Sequence, residues 1–110
     1  MELSKKERKI LRSIIAKGMQ REFAQGLEKA EAVIQGWRQN KPGDHQEHYH
    51  LLYNTIHDFD KHIAERYDYL RPWKYATVVL EQLIDGLLTI DDLDELPENL
   101  KARFIEALKR

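Results

Sequence analysis

The stretch Trp37-Arg38-Gln39-Asn40-Lys41-Pro42-Gly43-Asp44-His45-Gln46-Glu47 decides the fold, because it separates two long apolar stripes of helical period. Lys41-Pro42-Gly43 ends a helix, and Asp44 followed three residues later by Glu47 has the spacing of a capping box that starts another. Upstream, Leu11, Ile15, Met19, Phe23, Leu27, Ala30, Ile34 and Trp37 recur three or four residues apart without a proline between them. Downstream, Tyr49, Leu52, Ile56, Phe59, Ile63, Tyr67 and Leu70 do the same. So short a connection makes the two helices antiparallel neighbours.

Outward from that hairpin, Ser4 with Glu7 forms a second capping-box pattern and begins helix one near residue 5. Arg71-Pro72 interrupts the second stripe, since the residue before proline avoids helical angles and proline suits a first helical turn. A third helix is expected from Trp73 to Leu88, apolar over a broad face. Thr89 with Asp92 caps a short turn through Leu93, and Leu96-Pro97 opens a last helix carrying Leu100, Phe104, Ile105 and Leu108. No strand-like alternation occurs. The expectation is all-α: one domain over residues 1–110, a bundle of about four helices built on the hairpin from Ser4 to Leu70. The helices fall at about 5–40, 45–70, 73–88 and 97–109, the first being either one long helix or two in line that divide near Gly18.

Position 40 lying beside 45 places 70 beside about 15, so the first ~11 residues of helix one run past helix two. Their apolar side chains, Ile10, Leu11, Ile14 and Ile15, also point roughly 120–130° away from the Met19-to-Trp37 stripe. They are expected to pack on the later helices or on a second subunit. The hairpin core is expected to contain Phe23, Leu27, Ile34, Trp37, Leu52, Ile56, Phe59 and Ile63. An exposed Leu27 or Phe59 is compatible with that core only if an oligomer covers it.

With 34% charged and 42% hydrophobic residues, the 110-residue chain is too apolar for disorder and too polar for a membrane protein. It contains no cysteine, which excludes disulfides, Cys-ligated zinc and thiol catalysis. Neither a secretion signal nor a membrane span is expected, and the cytoplasm is the expected location. The net charge of −1 hides an asymmetry. Residues 1–40 hold nine Lys/Arg against five Asp/Glu, and residues 76–110 hold four against eight. Those opposite ends can neutralise each other within a subunit or between two copies.

Five histidines lie between His45 and His62. His50 and His57 are two turns apart, roughly 10 Å along the axis, too far to share an ion. Glu47 and His50 have the Glu-x-x-His spacing of di-iron bundles, but no second such motif occurs. Asp58, His62 and Glu65 stack on one helix face, and a metal site or a carboxylate-oriented histidine base there is the enzymatic alternative. No cofactor is expected. The run Lys5, Lys6, Arg8, Lys9, Arg12, Lys17 and Arg21 raises nucleic-acid binding as a further alternative. These cations spread over more than half the helix circumference, as on a solvated face.

Between Tyr67 and Tyr75, four aromatics interleave with cations. Tyr67 and Trp73 read as core where two helices meet, with Tyr69 and Tyr75 as partly exposed covers. As binding anchors, Tyr69, Arg71, Trp73 and Tyr75 join Ile10, Leu11, Ile14 and Ile15 in the candidate interaction surface. The functional expectation is a non-enzymatic interaction or scaffold domain whose partner is a second copy, as a homodimer, or another protein.

Overall fold

The computed structural model describes residues 2–39 and 44–110. The order is α1 (Lys5–Gln39), α2 (His45–Tyr67), α3 (Pro72–Ile84), a 3-10 turn (Ile90–Leu93) and α4 (Glu98–Leu108), an all-α architecture. The turn at Lys41-Pro42-Gly43 lies outside the described residues. No helix among them is long and apolar enough to cross a membrane. The expectation of one domain meets a chain divided into two compact units. Unit 1 holds residues 1–21 and 69–110, and unit 2 holds residues 22–68.

The caps follow the local chemistry. Ser4 and Glu7 exchange hydrogen bonds at 2.8 and 3.0 Å, satisfying two free N–H groups at the start of α1. Asp44 accepts from the Glu47 N–H at 3.1 Å, and Thr89 and Asp92 complete a capping box at the 3-10 turn. Of the two arrangements open for the first helix, α1 is the single long one and runs unbroken through Gly18. Two boundaries are corrected. α2 stops at Tyr67 instead of residue 70, because Tyr69 adopts φ 58, a left-handed conformation no helix continues through. α3 stops at Ile84 instead of Leu88, because Gly86 takes φ +77. There the Leu87 N–H reaches the Gln82 carbonyl and the Gly86 N–H the Leu83 carbonyl, which is a Schellman ending.

Unit 1 holds most of the buried apolar side chains. Leu11, Ile14 and Ile15 of α1 are buried together with Tyr75, Val78 and Val79 of α3, Leu93 of the turn, and Leu100 and Phe104 of α4. Gln82 of α3 donates to the Ile15 carbonyl at 3.1 Å. A Cβ on Gly18 would stand 2.5 Å from the Gln82 amide nitrogen, so glycine here admits a buried side chain against the α1 backbone. Leu87, Leu88 and Leu96 seal the connections between α3 and α4.

The two ends of the sequence meet inside this unit. Arg21 donates to Asp92 at 2.8 Å and to the Leu87 carbonyl at 2.8 Å. Lys17 lies 3.7 Å from the same carboxylate. The Arg21 hydrogen bond, helped by the Thr89 N–H, lowers the Asp92 pKa to about 2.

In unit 2, α1 and α2 run antiparallel in the expected register, with Gly26 against Phe59 and Trp37 beside His45. The expected hairpin core is corrected. Ile63 is buried, but Trp37, Leu52 and Phe59 are only half-buried, and Phe23, Leu27, Ile34 and Ile56 are exposed. Two adjacent helices cover only the side chains along their seam, and this stripe is wider than one partner can cover.

Two outcomes follow for unit 1. Gly18→Ala gains about 1 kcal/mol of helix propensity but displaces a buried amide, and overpacking of that kind costs about 1–3 kcal/mol. Urea titration should therefore show net destabilisation. In Gly36→Ala the new methyl meets nothing within 4 Å and should stabilise the chain. A lowered carboxylate pKa contributes stability that is complete above the ordinary carboxylate range and lost as pH falls through the folded value. Acid titration should thus show stability declining from about pH 4 toward 2, and Asp92→Asn should flatten that decline.

Candidate interaction surface

The hairpin is tied at one end by a buried carboxylate. Glu22 of α1 is 3% exposed and accepts three hydrogen bonds from α2. The donors are His62 Nε2 at 2.7 Å, Arg66 at 2.9 Å and the Tyr67 hydroxyl. An ionised carboxylate so removed from water needs charged or strongly polar donors, and Arg66 supplies the compensating charge. At the other end the Trp37 indole N–H donates to His45 Nδ1 at 2.9 Å, which leaves the proton of a neutral His45 on Nε2.

Between these ties the seam opens into two apolar grooves. One, of about 250 Å³, is lined by Phe23, Gly26, Leu27, Ala30, Ile56 and Phe59, with Asp60 at its margin. The other, of about 320 Å³, is lined by Val33, Ile34, Trp37, Tyr49 and Leu52, with His45 and His48 at its rim. Leu27, on the wall of the first groove, is 74% exposed. Lys29 reaches over the Phe59 ring at 5.5 Å, and Arg38 over the Trp37 ring at 5.3 Å. On α2, the Tyr53 and His57 rings stack at 5.8 Å, consistent with i,i+4 neighbours on one helix face.

The residues singled out in the sequence are redistributed. Leu11, Ile14, Ile15 and Tyr75 are buried inside unit 1, and Ile10 is half-buried. The α3–α4 region covers them, the simpler of the two arrangements expected. Tyr69 and Trp73 are 84% and 79% exposed, and Arg71 is exposed. Trp73 is therefore not the core residue it resembled, whereas Tyr67 is buried. Trp73 follows Pro72 in the first turn of α3, where the buried side of the helix belongs to Tyr75, Val78 and Val79.

The Asp58, His62 and Glu65 cluster does not assemble around His62, whose Nε2 turns to Glu22 on α1. Glu22 already receives Arg66 and Tyr67, so this arrangement joins two helices instead of offering a carboxylate to a substrate. Among the described residues, no three His, Asp or Glu side chains could hold a metal ion. In the basic run, Arg21 and Lys17 engage Asp92 within unit 1, while Lys5, Lys6, Lys9 and Arg12 remain on solvated faces of α1.

Glu22 and the open grooves were not singled out in the sequence. Glu22 had a signal: the hairpin register sets it opposite His62 and Arg66. Removing the acceptor shared by three donors should be costly, and Glu22→Ala should destabilise the chain by about 3 kcal/mol in urea titration. His62→Ala, which removes the most exposed of the three donors, should cost less. No protein-family model, curated protein or solved structure matches the chain.

Proposed function

We propose that the chain is a non-enzymatic protein-interaction domain whose working surface is the open apolar face of the α1–α2 hairpin. The observation that carries this reading is Leu27, a large aliphatic side chain left 74% exposed on the wall of an apolar groove. Phe23, Ile34, Tyr49 and Ile56 share the face and are also exposed. Each such residue presents roughly 150–250 Å² when free, so together they leave on the order of 500 Å² in water. That lies in the upper part of the range for the largest patch on a monomer, where patches commonly mark binding sites.

The self-association expected from the first turns of α1 moves, in this reading, to the hairpin, since Leu11, Ile14 and Ile15 are already covered. We place the domain in the cytoplasm, where a cysteine-free chain of ordinary charge suits a reducing environment. The enzymatic alternative loses its central residue to the Glu22 tie, and the nucleic-acid alternative loses Arg21 to Asp92.

Leu27→Lys tests the reading without disturbing buried contacts. An apolar fluorescent dye should bind the wild-type chain at submicromolar concentration and lose that binding in the variant. Helicity should persist, with stability changed by no more than about 0.5 kcal/mol. Dye binding that survives the substitution would place the working surface elsewhere.

A further inference from the structure

We infer that the occupant of the hairpin face is a second copy of this chain, related by a twofold axis lying in the interface and crossing α1 at Ala30. This rests on the hairpin face being a docking surface, and adds which partner it takes and in what orientation.

Area is the first argument. Pairing two such faces removes about 1,000 Å² of side-chain surface before any polar rim is counted, which meets the threshold of about 1,000 Å² for a biological interface. Shape is the second. Phe23, Leu27, Ala30, Ile34 and Trp37 form one stripe on α1 centred on Ala30. A twofold crossing there lays α1 antiparallel on its mate, so Leu27 of one copy meets Ile34 of the other and Phe23 meets Trp37. The most protruding side chain of the face then enters the partner's 320 Å³ groove, and the reciprocal contact forms by symmetry. The small Ala30 on the axis lets the helices approach.

The product is a four-helix bundle made from two hairpins, in which the stripe too wide for one partner helix is covered by two more.

Sedimentation equilibrium across a concentration series tests the partner, and cross-linking tests the axis. The wild-type chain should weigh about 26 kDa at micromolar concentration, twice its 13.1 kDa, and fall to the single mass on dilution. Dye binding should fall as the dimer forms. Leu27→Lys should raise the dissociation constant by about 30-fold or more, the effect of losing a central anchor. Because the chain has no cysteine, Ala30→Cys supplies a single thiol. A bismaleimide spanning about 10 Å, the separation of packed helices, should join the two copies.

A 13.1 kDa particle at every concentration, with Leu27-dependent dye binding intact, would overturn the second copy while the docking surface stands. Loss of the Leu27 dependence as well would overturn both. A Leu27→Lys chain that dimerises like the wild type would remove this face from the interface. A dimer that Ala30→Cys fails to cross-link would overturn the axis.

Discussion

Two helices lying side by side share one seam, and each can bury only the side chains that point into it. In unit 2 that limit decides which residues are core and which are surface. Ile63 and Tyr67 find cover, while Leu27 and Ile56, on the same regular stripes, do not. Apolar periodicity shows that a helix has a face to bury, but not how many neighbours will bury it. Unit 1 illustrates the opposite case. There a short stretch of α1 meets α3, and α3 meets α4, so Leu11 and Ile15 become inaccessible.

Because the hairpin seam is narrow, polar contacts carry an unusual share of its definition. Glu22 is held by side chains from three positions of α2, and such a carboxylate tolerates no shift of one helix turn. A one-turn slip would leave a buried charge against apolar neighbours, a penalty of several kcal/mol. Apolar contacts along an open groove impose no comparable penalty. The buried network thus fixes the register.

The charge asymmetry of the chain acts on a different scale. A basic beginning and an acidic end suggest long-range attraction, yet Asp92 works through contact: a guanidinium, a backbone N–H and a second cation converge on it. The same carboxylate caps the 3-10 turn and anchors α1, so one residue couples a local turn to a distant helix within unit 1. Its lowered pKa records that convergence.

What the sequence determined by itself was local or periodic. The capping pairs Ser4/Glu7 and Thr89/Asp92, the break at Arg71-Pro72, the all-α class and the antiparallel register all follow from short-range rules, which act between residues near in the chain. Even the change of apolar face near Gly18 was legible, although its cause was not: the glycine makes room for Gln82 and does not break the helix. Tertiary structure alone decided which stripe is covered. Leu11 and Leu27 are the same residue type in one series of apolar residues spaced three or four apart, and one is wholly buried while the other is 74% exposed. It also decided that His62 turns to Glu22, forty positions away, and not to Asp58 one turn along its own helix. Burial and polar pairing depend on which helices converge on a site, and that is a property of the packed chain.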